Sequence, residues 1–176
     1  MNTTNTSSQA ADVVADGTVA DWPLKFAYHQ FEGFCFDTQS CEIRYNGFDF
    51  GNAGPTPPLS KLGPDQHDSI LHGSYGPVPR TDPPAQVRWR SKDGTELQAE
   101  VDIAALFKDG LIRHHVPRDE ISEGVSMGST HILLQVADHT ITVFTRTRIP
   151  TKELQDPANP YSSGRDDLIE VFSKTY

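Results

Sequence analysis

Residues 83–110 read PPAQVRWRSKDGTELQAEVDIAALFKDG, and the period of two in the first half of this stretch decides what kind of chain this is. Val87 and Trp89 alternate with Arg88 and Arg90, and after Asp93-Gly94 the alternation resumes at Leu97, Ala99, Val101 and Ile103. Successive side chains of a strand point to opposite faces, so the pattern predicts a β-hairpin with one buried face and Trp89 in the core. Asp-Gly suits a two-residue turn because both central residues take positive φ, which Gly adopts freely and Asp tolerates. The ending IAALFKDG gathers Ala104, Leu106 and Phe107 into about one helical turn, with Gly110 where a left-handed residue ends it.

The same period recurs outward from this hairpin. In THILLQVADHTITVFTRTRIP (130–150), Ile132, Leu134 and Val136 are expected to face Ile141, Val143 and Thr145 across a turn near Asp138-His139. LKFAYHQF and CEIRYNGFDF read as opening strands through Leu24, Phe26, Tyr28, Ile43, Tyr45, Phe48 and Phe50, and DDLIEVFSKTY as a final strand covered on both faces. Residues 51–84 hold most of the prolines and read as one long loop anchored by Ile70, Leu71 and Tyr75. Pro117 stops any helix after LIRHHV, and RDEI predicts a single turn. The expected fold is mainly β, or α+β with little helix: β-sandwich-like antiparallel sheets with long loops and one or two short helices.

The 176 residues suit one domain, with residues 1–23 expected to be a flexible polar tether and residues 24–176 a single β-rich body. Thirteen prolines and thirteen glycines favour short strands and many turns over long amphipathic helices. Fifteen Lys and Arg against 24 Asp and Glu give a formal charge of -9, which argues against nucleic acid, since phosphate must be met by basic residues. The apolar runs fall far short of the ~20 residues that span a bilayer.

Cys35 and Cys41 are separated by FDTQS. A zinc site needs four ligands and a redox pair more often has two intervening residues, so a structural disulfide closing a short loop is the preferred reading, with two buried thiols as the bland alternative. A bridge would imply an oxidising compartment such as the periplasm. Catalytic patterns are weak. His114 and His115 are adjacent, so on extended chain they point apart rather than chelating together, and Asp65, His67 and Asp68 read first as a solvated acidic loop. No GxSxG elbow or HExxH helix occurs. The expectation is a protein without catalytic residues, metal or cofactor.

Four segments carry a resemblance: VRWRSKDG, AEVDIAALFKD, LIRHHVPRDEI and RIPTKELQDPANPYSSGRDDLIEVFSKTY. Over residues 24–176 the chain resembles small bacterial lipoproteins that act as immunity proteins against type VI secretion lipase effectors. The resemblance implies a periplasmic inhibitor that blocks the active site or the membrane approach of a cognate phospholipase. It departs from that family in lacking an apolar leader and a lipid-accepting Cys near residue 1, although the polar residues 1–23 resemble the tether that follows such an anchor. Residues expected at the partner surface are Asp65, Asp68 and Tyr75 in the Pro/Gly-rich loop and Asp119, Glu120 and Glu123 in the acidic turn. Two alternatives stand beside this reading. One is a small-molecule or glycan module with Trp22, Tyr75 and Tyr161 as platforms; the other is a metal-dependent hydrolase assembled from His114, His115, Asp65 and Asp68.

Overall fold

The structure is a computed structural model that describes residues 22–176; the expected tether, up to residue 21, lies outside the described residues. At the tether's predicted end Leu24 is buried, and Trp22 sets its ring edge-on to His114.

Strand β1 (Tyr28–Phe36) and strand β2 (Thr38–Tyr45) are separated by Asp37 alone, yet they belong to different sheets. Asp37 turns the chain at φ 53, and the Cys35–Cys41 disulfide clips the corner it makes. On one side lies a five-stranded sheet, β11-β8-β7-β1-β4, made with β4 (Tyr75–Pro79), β7 (Thr130–Ala137), β8 (Thr140–Thr147) and β11 (Ile169–Thr175). On the other lies a four-stranded sheet, β3-β2-β5-β6, made with β3 (Phe48–Asp49), β5 (Ala85–Ser91) and β6 (Glu96–Val101). A small pair, β9 (Ile149–Pro150) and β10 (Gly164–Arg165), completes the strands. The helices are short: α1 (Pro64–Ile70), α2 (Ile103–Leu106) and 3-10 turns at Leu59–Lys61 and Arg118–Glu120. This is the expected mainly β, sandwich-like architecture. Every strand neighbour is antiparallel except β1 and β7, which run parallel from His29↔Thr130 to Phe36↔Ala137.

The core lies between the sheets, where Phe31, Ile43, Val87, Ile132 and Leu134 are fully buried. The predicted hairpin registers hold: Val136 faces Ile141, Leu134 faces Val143, and Ile132 faces Thr145. Trp89 is 3% exposed and donates its indole N–H to the Asp138 carbonyl at 2.7 Å, tying the β5 strand to the β7–β8 turn. Asp138 also accepts the Lys92 N–H, and His139 in its protonated form donates to both Asp93 and the Tyr176 carbonyl, so two hairpin tips and Tyr176 share one network. The Tyr176 carbonyl and then Asp93 raise the His139 pKa by accepting from the ring.

Three expectations need correction. The two-residue turn forms not at Asp93-Gly94 but at Asn46-Gly47, where both residues have positive φ and Tyr45 pairs with Phe48. At the first hairpin only Gly94 is left-handed, because Ser91 N–H bonds the Thr95 carbonyl and Asp93 instead accepts from Ser91 Oγ and from both Thr95 donors. Residues 51–84 are not one loop: α1 and β4 lie within them, with Leu71 buried as expected and Ile70 exposed. β11 is an edge strand, half-buried to exposed, rather than covered on both faces. Gly110 closes the α2 region at φ 71, as its position predicted.

Two predictions follow from this core. Trp89→Ala leaves a cavity between the sheets and a bare Asp138 carbonyl, and urea denaturation is expected to show a loss of ~3–5 kcal/mol. His29 is fully enclosed, shares a hydrogen bond of 3.1 Å with the Tyr45 hydroxyl, and leaves Nδ1 without a partner. Burial pushes its pKa down to about 4. The unfolded chain therefore takes up a proton below pH ~6.5 that the folded chain refuses. Stability falls as pH drops from there towards 4, by up to about 3 kcal/mol, and the same titration on His29→Phe is expected to be flatter.

Candidate partner-binding surface

The segment from Leu59 to Gly73 is a strap laid over the outer face of the five-stranded sheet. Most of its attachments are polar. His67 donates to Gln135 and sets its ring edge on Phe144, while Leu71 supplies a fully buried apolar anchor. The centre is Arg146, on β8 and only 4% exposed. Its guanidinium donates to the Asp68 and Leu71 carbonyls at 2.7 and 3.0 Å, to the Asp68 carboxylate at 2.8 Å, to His72 Nε2 at 3.2 Å and to the Asp166 carbonyl at 3.2 Å. A guanidinium carries five donors in a fixed fork, so one side chain gathers the C-terminal carbonyls of α1 and the segment before β11. Next to it, the Gly73 N–H donates to His131 Nδ1 at 2.8 Å, which requires that nitrogen to be unprotonated. Burial, then His72, then Arg146 lower the His131 pKa and keep it so. Gly73 itself passes so close to β1 that a Cβ there would stand 2.8 Å from the Gln30 carbonyl carbon.

Beyond Gly73 the strap becomes β4 and delivers Tyr75 to an aromatic cluster. Tyr75 stacks on Phe48 at 5.2 Å between centroids and meets the edge of Phe50 at 5.2 Å, while Phe50 reaches inward to Phe31 at 4.9 Å. The Tyr75 hydroxyl donates to Asn46 Oδ1 at 2.9 Å, fixing the ring against the β2–β3 turn. Phe48 is 51% exposed. The result is an aromatic surface rooted in the core and held in place by its own contacts.

The expected partner residues separate into three places. Tyr75 belongs to the aromatic cluster. Asp65 is exposed on the first turn of α1, but Asp68 on the same helix is the carboxylate of Arg146 and so has a structural role. Asp119 and Glu120 are exposed in the 3-10 turn, with Glu123 exposed just after it, and the turn is held by Lys152 N–H donating to the Glu120 carbonyl. Arg118 of this turn covers the Trp22 ring at 5.7 Å. His114 and His115 differ in surroundings: His114 is half-buried on Trp22, with its pKa lowered first by burial and then by His115, whereas His115 is exposed and borders a recess with Asp68, Arg146 and Asp166. Among the described residues no group of three His, Cys, Asp or Glu side chains is placed to hold a metal ion.

Arg146, His72, His131, Phe48 and Phe50 were not singled out as site residues by sequence. The Asn46-Gly47 turn flanked by Tyr45 and Phe48 was the available signal for the aromatic edge; nothing in TVFTRTR marks Arg146 as the buried arginine. No protein-family model matches this chain, and neither does any curated protein or solved structure.

Removing Arg146 tests the strap. Arg146→Ala leaves the Asp68 and Leu71 carbonyls without their donor, and a loss of ~2–4 kcal/mol is expected, with the half-exposed Asp68 carboxylate adding little because water can reach it. Hydrogen exchange should quicken first over residues 64–74, ahead of the β7–β8 core.

Proposed function

We propose that the protein is an immunity protein that binds a secreted type VI lipase effector in the periplasm and blocks its active site or its membrane approach. The observation that carries this reading is the half-exposed Phe48, stacked on a tethered Tyr75 and backed by the core. Binding energy concentrates in a few aromatic anchors, and an anchor already held in its bound conformation loses little entropy on docking. The resemblance over residues 24–176 supplies the class of partner. The Cys35–Cys41 disulfide suits an oxidising compartment, where such a bridge persists. The formal charge of -9 favours a partner with a basic face, with exposed acids such as Asp65, Asp119, Glu120 and Glu123 contributing to the rate of encounter.

The glycan-module reading has one support outside the Phe48 cluster, the open recess of about 310 Å³ where Trp22 meets Leu24, Ile112 and His114. Of the other two platforms expected for it, Tyr161 is 85% exposed and Tyr75 lies in the Phe48 cluster.

Calorimetry against the lipase effector that the resemblance implies is encoded beside this gene is the direct test, and no heat at micromolar concentrations overturns the proposal. With binding established, Phe48→Ala combined with Tyr75→Ala is expected to weaken affinity by ~100-fold, about 3 kcal/mol. Charge reversal at Asp65, Asp119 and Glu120 should slow association and flatten its salt dependence, leaving the melting temperature nearly unchanged.

A further inference from the structure

Four strands end the two principal sheets, and they differ in how they are guarded. β3 has two residues. β4 carries Pro77 and Pro79, which have no N–H to offer a neighbour. β11 has an irregular register between Glu170 and Phe172 and places Lys174 near its end. β6 has none of these devices. Its six residues pair with β5 in unbroken register from Arg90↔Glu96 to Ala85↔Val101, and it contains no proline and no lysine. Edge strands of this kind are templates for another strand, and proteins usually blunt them.

The unpaired groups of β6 can be assigned. Ser91 N–H donates to the Thr95 carbonyl at 2.9 Å, so the bonded positions that follow along the antiparallel ladder are Leu97, Ala99 and Val101. The N–H and C=O of Glu96, Gln98 and Glu100 then turn outward, and among the described residues no other backbone meets them. The side chains of these same three residues lie on the solvent face of the sheet, with Leu97 and Ala99 half-buried against the rim of the core on the other.

Charge identifies the occupant. On the solvent face the basic pair Arg88 and Arg90 of β5 stands next to Glu96, Gln98 and Glu100 of β6, with Arg90 paired to Glu96 and Gln86 bonded to Glu100 at 3.0 Å, while β2 on the far side of β5 is mixed, with Glu42 beside Arg44. A further strand beside β6 would meet Glu96 and Glu100 favourably with basic residues. A second copy of β6 would not. Antiparallel pairing centred on Gln98 sets Glu96 against Glu100 twice, pairing centred on Ala99 sets Glu96 against Asp102, and in-register parallel pairing stacks Glu on Glu, all of which are repulsive.

The geometry points to β6 as a strand-addition site for an extended segment of another protein that carries Lys or Arg at alternate positions, with small apolar residues between them. Main-chain bonds to Glu96, Gln98 and Glu100 supply the attachment, and the two glutamates select the sequence. This site is independent of the aromatic surface and of the lipase reading, and its partner need not be the effector.

The test uses the full chain and a blocked peptide of alternating Lys and Val, with backbone amide exchange of residues 96–101 followed by NMR. Saturating peptide is expected to slow exchange at Glu96, Gln98 and Glu100 by about tenfold or more. A Glu/Val peptide, or the Lys/Val peptide N-methylated along one edge, should leave exchange unchanged. Gln98→Pro removes an outward donor while sparing the β5 ladder and should abolish the effect. Should that variant misfold, Glu96→Lys with Glu100→Lys keeps every backbone donor and should transfer the preference to the Glu/Val peptide. No slowing at millimolar Lys/Val peptide, equal slowing by both peptides, or concentration-dependent protection of β6 by the protein alone overturns the assignment, the last in favour of a second copy.

Discussion

A chain that changes sheets across a single residue must hold two hydrogen-bonding directions within a few ångströms, and that constraint at Asp37 organises the rest of this fold. β1 is committed to β4 and β7, while β2 is committed to β5. The corner between them is secured from several sides. The disulfide joins Cys35 to Cys41, Asp37 N–H donates to the Pro57 carbonyl, the Asp37 carboxylate accepts from Leu59 N–H, and Asp138 N–H donates to the Phe36 carbonyl. A bridge over so short a loop removes only modest freedom from the unfolded chain, on the order of 2 kcal/mol. Its structural effect is to lock the angle at which the sheets meet, and so the shape of the core between them.

The two faces of the five-stranded sheet are covered by different physics. Its inner face meets the second sheet through aliphatic and aromatic side chains. Its outer face is covered by a strap whose contacts converge on Arg146, and a buried guanidinium is tolerable only because the Asp68, Leu71 and Asp166 carbonyls and the Asp68 carboxylate meet it. Polar attachments are directional, so they set the position of the strap more sharply than apolar contact would. That positioning reaches Tyr75 through Gly73 and Ser74, whose hydroxyl donates to Glu32. Tyr75 is then placed by its pairing with Phe31 on β1 and by its hydroxyl bond to Asn46.

For the proposed binding role this division is useful. The core and its corner supply rigidity, the strap supplies an irregular outer surface, and the aromatic cluster supplies an anchor with low conformational freedom. The opposite edge of the four-stranded sheet from β3 offers main-chain groups along β6 instead of side-chain anchors, the separate recognition mode proposed above. The two surfaces differ in what they would read: shape and apolar fit at Phe48, alternation of charge at β6.

Much of the fold was legible in the sequence because strand periodicity is local. Val87, Trp89, Ile132, Leu134 and Val136 declared their faces through alternation alone, Gly110 declared its turn, and the spacing of Cys35 and Cys41 suggested their bond. The hidden part was non-local. Nothing near Asp37 announces that β1 will run parallel to β7, because that pairing joins residues about a hundred positions apart. The doubly buried run HILLQVA acquired its second cover from α1, inside a segment whose prolines and glycines read as loop. Asp68 read as a free surface acid, and only folding brought Arg146 to it. Local sequence determines which residues can form a strand and which face they turn inward; what lies against that face is decided by tertiary packing, since burial of a charge such as Arg146 is possible only where distant carbonyls converge to meet it.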